Sequence, residues 1–339
     1  MVTIKDVARE AGVSVASVSR ALNGHRGVTP ETVERIREIA TRLRYVPHVA
    51  ARSLITRRTH TIGALLPDLH GEFFSELIRG LDQAARARGL HLLVSSSHDS
   101  IEEAATALRA MQGRVDGLVI LSPRVDAPFL RANLPETTPA VLLNSAVRSP
   151  AYDVLNVDNY GGAYAMMRHL LREVGHAHVA FVSGPAANFD ARERERGYRA
   201  AMTHYAPGVA CDVVPGEFTE ESGYAAATTL LGRPDRPRAV FAANDMMAVG
   251  CLYAFKEAGL RVPEDIALAG FDDIPIARYL TPPLTTVRVR IADLGRSALE
   301  RLAERLDATD GSPNVADTLG CEVVVRGTCG AELTNASPA

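Results

Sequence analysis

The feature that most constrains this 339-residue chain is an alternation of short apolar runs with amphipathic stretches, which continues from residue 60 to residue 271. Short apolar runs bounded by polar residues predict buried strands, and apolar residues at helical spacing predict amphipathic helices between them. Strands that alternate with helices are typical of parallel sheets with helices packed on both faces. The predicted strands cover residues 62–66, 91–94, 117–121, 140–143, 179–182, 211–214, 239–242 and 267–271.

These strands form two sets, and the second set begins after Val157 and Asp158. The helices predicted between them cover residues 74–88, 101–112, 161–174, 192–205, 221–231 and 246–258. We therefore expect an α/β body of two doubly wound parallel-sheet lobes. Ligands of open α/β sheets bind beyond the carboxyl ends of the strands, so a cleft between the lobes is the expected binding site.

A small all-α unit is predicted before this body, built on two short helices that meet around Gly12. Apolar residues recur at i, i+3, i+4 and i+7 from Ile4, with Thr3 as the N-cap, and Ser14 caps a second helix. A third helix begins at Pro30, a residue that suits the first helical position. This pattern predicts a helix-turn-helix headpiece that reads DNA, but the pattern alone fits an αα-hairpin with no DNA role equally well.

Charge is distributed unevenly between the head and the body. Residues 1–60 contain eleven Arg and Lys and five acids, a net charge of +6, which leaves 26 bases and 35 acids and a net charge of −9 for the remainder. A basic head on an acidic body favours a module that contacts nucleic-acid phosphates. Pro47 ends the third helix, and the helix-forming stretch after it is too short to be stable alone.

Several classes of protein are disfavoured by what the sequence lacks. No secretory signal precedes the first helix, and no apolar run has the length that a membrane span needs. The four cysteines form no CxxC pair, which indicates free thiols in a reducing compartment. The HExxH, GxSxG and GxxxxGK motifs and a metal-ligand cluster are absent. We therefore expect a cytoplasmic protein that has no membrane partner and no cofactor and is not an enzyme.

Two runs carry a family resemblance, TIKDVAREAGVSVASVSRALNG and VTPETVERIREIATRLRYVPHVAARSL. They strongly resemble the DNA-binding head of the LacI/GalR family of bacterial transcriptional repressors, nearly continuously over residues 3–54. Residues 60–328 resemble the periplasmic sugar-binding-protein fold that the family carries. The resemblance implies a repressor that binds a palindromic, double-stranded operator as a homodimer, at the nucleoid when bound, and that a small-molecule effector controls.

The resemblance also implies how the chain is divided. The expected segments are the headpiece at 1–47, the hinge helix and linker at 48–59, the effector-binding and dimerisation core at 60–330, and a disordered tail at 331–339. Lobe one is expected at about 60–157 and 289–317, and lobe two at about 158–287 and 318–330. The tail carries no leucine heptads, which favours a dimer over a tetramer.

DNA contacts are expected from the second helix and from the hinge. Arg20 suits a bidentate contact with guanine or a phosphate clamp, whereas Val15 and Ala16 suit only a thymine methyl. Two hinge helices would pair in the minor groove, with Leu54 as an apolar wedge. The residues expected to contact DNA are Thr3, Ser14, Val15, Ala16, Ser17, Arg20, Asn23, His25, Ala51, Arg52 and Leu54.

Polar and aromatic residues at strand ends are the candidates for holding the effector. They are Phe73, Phe74, Ser122, Asn144, Asn188, Asp190, Arg194, Phe218, Asn244 and Asp272. Such a set suits a mono- or disaccharide or a derivative, since polar groups meet hydroxyls and rings cover the apolar face. Each residue also has a simpler interpretation: a core position for one Phe, a helix cap for Asn188 or Asp190, a solvated helix face for Arg194, and a turn for Asp272.

The resemblance favours the ligand-binding interpretation. Arg194, Phe218, Asn244 and Asp272 match effector-contacting positions of sugar-responsive members, whereas Asn188 and Asp190 depart from purine-responsive ones. We expect a sugar that releases the repressor from its operator. The alternatives are a ligand that acts as co-repressor and a sugar-binding transport component, and the basic head and the missing signal peptide argue against the latter.

Overall fold

The computed structural model describes residues 2–22, 27–45, 58–122, 124–135, 137–147, 149, 151–308 and 314–331. The chain separates into two compact units, Met1–Thr59 and His60–Ala339. In the described part of the chain, no helix combines the length and apolarity needed to cross a membrane.

The described residues of the first unit form a head of three helices. They are α1 (Ile4–Ala11), α2 (Val15–Leu22) and α3 (Pro30–Arg42). Asp6 accepts hydrogen bonds from the amide and the hydroxyl of Thr3, at 2.9 and 2.8 Å, which fixes the first turn of α1. Gly12 ends α1 with a left-handed φ of 64°, and this reverses the chain into α2.

The apolar faces of the three head helices meet in one small core. Val7, Val18 and Ile36 are its fully buried members, one from each helix. A core of this size gives a domain only modest stability. Arg42 of α3 also pairs with Glu10 of α1 at 2.6 Å, across exposed surface where such pairs contribute little.

The second unit contains two six-stranded sheets, one in each lobe. The strands are β1 (Thr61–Leu66), β2 (His91–Ser96), β3 (Gly117–Leu121), β4 (Ala140–Leu143), β5 (Asp153–Val157), β6 (Val179–Val182), β7 (Asp212–Val214), β8 (Ala239–Ala242), β9 (Ala267–Asp272), β10 (Thr285–Arg288), β11 (Ala316–Leu319) and β12 (Glu322–Val324). The strand order is β11-β5-β4-β3-β1-β2 in lobe one and β12-β10-β9-β8-β6-β7 in lobe two. All pairs are parallel except β10 with β12, which confirms the predicted fold class.

Helices cover both sheets. They are α4 (Glu72–Ala87), α5 (Ile101–Met111), α6 (Ala127–Asn133), α7 (Asn159–Arg168, continued by a π-helical turn, His169–Glu173), α8 (Phe189–Tyr205), α9 (Glu220–Leu231), α10 (Asp245–Glu257) and α11 (Ile291–Asp307). The chain passes between the lobes after β5, between β10 and α11, and between β11 and β12, because β11 pairs with β5 and β12 pairs with β10.

The alternation of strands and helices does not predict β5, α6, α11 or the strands after residue 271. The strand β5 begins with Asp153 and contains Asn156, and α6 has only seven residues, so neither shows a clear apolar pattern. The strand β10 begins with Thr285 and Thr286, which are polar although fully buried, and β11 is largely exposed. Their pairing partners lie far away in sequence, so no local pattern identifies them. The predicted helices differ from the observed ones by only a few residues at their ends.

Lobe one is held together by close packing of α4 against α11. A Cβ placed on Gly80 of α4 would lie 2.0 Å from the carbonyl oxygen of Ala292. No side chain fits in that contact unless the helices move apart.

We therefore predict that Gly80→Ala lowers the free energy of unfolding of the core by about 1–3 kcal/mol, the usual cost of overpacking. Urea denaturation followed by circular dichroism measures this as a lower midpoint with an unchanged slope. Gly320→Ala is the matched control, because its Cβ meets no atom within 4 Å. Equal midpoints for the two variants would contradict the prediction.

Candidate functional site

One face of α2 in the head is left free for contact. Val15, Ala16 and Arg20 are exposed on it, whereas Val18 and Ala21 of the same helix are buried. The sequence of α2 therefore places the three residues that are predicted to read DNA on its outer face.

The other residues predicted to contact DNA divide into two groups. Ser14 caps α2, since its hydroxyl accepts from the amide of Ser17 at 3.1 Å; Ser17 is partly buried in the first turn of α2, and Thr3 is exposed at the start of α1. The remaining residues lie outside the described part of the chain, namely Asn23, His25, Ala51, Arg52 and Leu54.

In the body, a cavity of about 420 Å³ lies between the lobes at the carboxyl ends of the strands. It is lined by residues of both lobes, which is the position that a doubly wound fold dictates. Nine of the ten predicted residues line it: Phe73, Phe74, Asn144, Asn188, Asp190, Arg194, Phe218, Asn244 and Asp272. Ser122 is not brought to the cavity. It is buried after β3, where its carbonyl accepts from the amide of Val125 in a turn.

Arg194 of α8 is the buried centre of this site, with only 3% of its surface exposed. Its Nη2 lies 3.0 Å from Oδ1 of Asp272, its Nε donates to Asn159 at 2.8 Å, and its Nη1 donates to the carbonyl of Ala243 at 2.6 Å. The guanidinium also lies 3.9 Å from the ring centroid of Phe271. These contacts exclude the interpretation of Arg194 as part of a solvated helix face.

Two carboxylates flank this guanidinium. Burial raises the pKa of Asp272 to about 6 even though Arg194 opposes the shift. Burial also raises the pKa of Asp190 to about 6; the charge of Arg194 opposes the shift, and the negative charge of Asp272 adds to it. A well-aligned hydrogen-bond donor to Oδ1 of Asp272 is lacking among the described residues, because the approach of Arg194 is an ion pair with poor hydrogen-bond geometry.

Asp190 also connects the two lobes. Its Oδ2 accepts from the side-chain amide of Asn144, at the end of β4 in lobe one, at 2.9 Å. Its Oδ1 accepts from Asn159, which follows the first passage between lobes, at 2.8 Å. A second bridge joins Glu72 of lobe one to the amide of Ile276 of lobe two at 2.8 Å. The first of these bridges lies in the cavity wall, so a ligand there meets residues of both lobes.

Aromatic rings and helix caps complete the wall. Phe73 and Phe74 meet edge to face at 5.5 Å, and both are partly buried, so neither is a simple core residue. Asn188 caps α8 and Asn244 caps α10 through their side-chain oxygens. Asn244 also donates to the carbonyl of Phe218 at 3.0 Å, which holds that aromatic residue in place. Asn188 and Asn244 therefore both cap helices and line the cavity, so the two interpretations of these residues are compatible.

Backbone strain is concentrated in the same cavity. Eight non-glycine residues in the described ranges have a positive φ, and five of them line the cavity: His98, Asp99, Asn144, Phe218 and Asp272. Such conformations are uncommon and cluster at functional sites. The φ of 113° at Asp272 is the most unusual, because it lies outside the left-handed helical region.

Three site features were missed by reasoning from sequence. Asn159 joins Arg194 to Asp190, yet it looks like an ordinary first residue of α7. Asp245 is fully buried and accepts from Thr286 at 2.6 Å and from the amide of Ile274 at 2.9 Å. Its position beside Asn244, after an apolar strand, was the only available signal. Further acidic residues line the cavity, and they lie in no local pattern from which a binding site could be predicted. No metal-binding group of His, Cys, Asp or Glu occurs in the ranges that the structure describes.

We predict that Arg194→Met destabilises the core by about 3–5 kcal/mol near pH 7.5, because it leaves the buried Asp272 and the half-buried Asp190 without a cation. A carboxyl whose folded pKa is raised favours the native state most when protonated, so stability falls as pH rises from about 4 to about 6 and higher in the variant. The loss should therefore be clearly smaller near pH 5. Urea denaturation at both pH values measures it.

Arg199→Met is the control for this prediction, because Arg199 lies on the same helix, is exposed and pairs with the partly exposed Glu195. Its effect should stay within about 0.5 kcal/mol at both pH values. An Arg194→Met loss that is the same at both pH values would show that the two carboxylates do not depend on this guanidinium.

Comparison with known proteins identifies both parts of the chain. The model of bacterial regulatory proteins of the lacI family matches residues 3–48, and that of a periplasmic binding protein-like domain matches residues 168–329. The ribose operon repressor of Escherichia coli (strain K12) is 36% identical over 90% of this chain and 93% of its own length. The HTH-type transcriptional repressor PurR of Photobacterium profundum is 33% identical over 96% of this chain and 98% of its own length.

Solved structures agree with these matches. The lac repressor dimer bound to operator and an anti-inducer superimposes with a TM-score of 0.86 at 28% identity, covering 97% of this chain and 99% of that one. A regulator from Enterococcus faecium with bound ribose gives a TM-score of 0.73 at 27% identity, covering 80% of this chain and 99% of that one. The chain therefore belongs to the lacI family of bacterial regulatory proteins, and it is a DNA-binding transcriptional regulator rather than an enzyme.

Proposed function

We propose that this protein is a repressor that binds a palindromic operator as a homodimer and is released when a small sugar or sugar derivative enters the cavity between the lobes. Operator binding would place it on the nucleoid. The observation that carries the effector part is the buried Arg194–Asp272 pair, which lies among aromatic rings in a cavity lined by both lobes. Relatives with ribose in their names support a sugar as the ligand class.

Sugar recognition follows from the chemistry of the wall. Asp272 Oδ1 is a buried acceptor without an aligned donor, and a ligand hydroxyl would supply one. Asp190 has lone pairs left after its two amide contacts, so it also accepts from hydroxyls. Phe73, Phe74 and Phe218 offer apolar surface to the carbon face of a sugar ring.

Coupling to DNA would operate through lobe closure. The Asn144–Asp190 bridge belongs to both the cavity wall and the contact between lobes, so a ligand that competes for it changes the energy of closure. We propose that residues 48–59 contain a hinge helix and a linker that transmit this change, with Leu54 as the minor-groove wedge and with Ala51 and Arg52 beside it. A homodimer would present two such hinges to the two halves of a palindrome.

In the head, Arg20 is the residue on the outer face of α2 with the strongest capacity for base or phosphate contact. We predict that Arg20→Ala weakens operator binding by about 1–3 kcal/mol, or roughly 5- to 150-fold, measured by fluorescence anisotropy at fixed salt. Arg37→Ala removes the same charge from the exposed surface of α3 and should change affinity less than about threefold. Equal losses would mean that only net charge matters.

The effector proposal is tested by titrating the repressor–operator complex with ribose, other monosaccharides and disaccharides. We expect one sugar to weaken operator binding by about 5- to 150-fold, the usual range for allosteric coupling, and Asp272→Asn to abolish that response. Tighter operator binding with a sugar would make the ligand a co-repressor. A response to a purine base alone would replace sugars with purines as the ligand class, against the expectation from Asn188 and Asp190.

A further inference from the structure

The charge of the cavity narrows the class of effector. Six acidic residues line it, and Arg194 is the one Arg or Lys among the described lining residues. The acids are Asp68, Asp99, Asp190, Glu217, Glu220 and Asp272. A cavity with this excess of negative charge repels phosphates and carboxylates, so sugar phosphates and sugar acids are poor ligands for it.

The excess also involves the residues around Arg194. Its hydrogen bonds and ion pair go to Asn159, Ala243 and Asp272, and it makes no hydrogen bond to Asp190. The hydrogen-bond partners of Asp190 are the neutral amides of Asn144 and Asn159. The buried Asp272 and the half-buried Asp190 thus share the charge of one guanidinium, and Asp190 is the one that has no ion pair of its own.

We propose that the natural effector is an amino sugar, whose ammonium group binds Asp190 while its ring packs against the phenylalanines. This proposal rests on the proposed function and specifies the ligand of the same site. An ammonium donates up to three hydrogen bonds, which suits a carboxylate that retains acceptor capacity on both oxygens. Aromatic faces also attract cations, and Phe73, Phe74 and Phe218 line the same cavity.

A neutral sugar would leave the negative charge of Asp190 without a positive partner in the ligand. Desolvation of Asp190 costs free energy in the empty protein, as its raised pKa records. A hydroxyl of a neutral sugar offsets this cost only partly, whereas an ammonium adds the opposite charge in a site of low polarity. The geometry therefore discriminates by charge as well as by shape.

The test compares matched ligands by isothermal titration calorimetry on the full-length protein near pH 7, where the amine is charged. The sets are D-glucosamine, D-glucose and N-acetyl-D-glucosamine, and the corresponding galactose and mannose sets. In at least one set the free amine should bind about tenfold or more tightly than the neutral sugar and the N-acetyl derivative, and it should also weaken operator binding. This preference should diminish toward about pH 5, where Asp190 becomes protonated.

Two variants test whether Asp190 is the residue that causes the preference for the amino sugar. Asp190→Asn should bring the ratio of amino-sugar to neutral-sugar affinity close to one. Glu221→Gln is the matched control, because Glu221 is exposed on α9 next to the cavity wall but is not among the lining residues, and it should retain the ratio. A ratio that survives Asp190→Asn would overturn the assignment of the ammonium to Asp190.

The remaining outcomes separate this inference from the function on which it rests. If a neutral sugar binds as tightly as its amine and releases the operator, the amino-sugar inference fails and the sugar-responsive repressor stands. If putrescine binds as tightly as the amino sugars, the ring contributes nothing and the inference fails as well. If neither series binds or affects the operator, both proposals fail together.

Discussion

The buried pair of Arg194 and Asp272 is the interaction on which the body of this protein depends. A guanidinium with 3% exposure is tolerated only because an ion pair, an amide, a backbone carbonyl and an aromatic face surround it. Those partners lie in β9, which includes Phe271, in α7 and at the end of β8. One side chain therefore contacts several strand ends of lobe two at once. Buried pairs of this kind add little net stability, and their value lies in specifying one arrangement.

That arrangement follows from the topology of the fold. Parallel strands end on one edge of each sheet, and three passages of the chain bring the two edges face to face. Polar residues after apolar strands therefore collect in one cavity although they lie far apart in sequence. The strained φ angles of Asn144, Phe218 and Asp272 occur at these strand ends, where the chain must turn at once from a buried strand into the cavity wall.

This topology also explains what the sequence could and could not predict. Up to residue 271, the periodicity of apolar residues predicts the strands except β5 and the helices except α6, and nine of ten candidate residues line the cavity, because both depend on local patterns. The strand β10 and the edge strands β11 and β12 lack such a pattern, because long-range pairing defines them. Asn159 and Asp245 were not predicted for the same reason. Only the fold shows that Asn159 joins Arg194 to Asp190. Only the fold shows that Asp245 accepts a hydrogen bond from Thr286.

The same contacts are suited to coupling occupation of the cavity to the arrangement of the lobes. A ligand shifts a two-state equilibrium only by the difference between its affinities for the two states. A side chain that belongs to both the cavity wall and the contact between lobes can supply such a difference, and Asp190 meets both conditions through Asn144. Its hydrogen bonds come from neutral amides, and the charge of Arg194 lies close by, so under the proposed function a ligand that changes how well this carboxylate is solvated would also change the energy of closing the lobes.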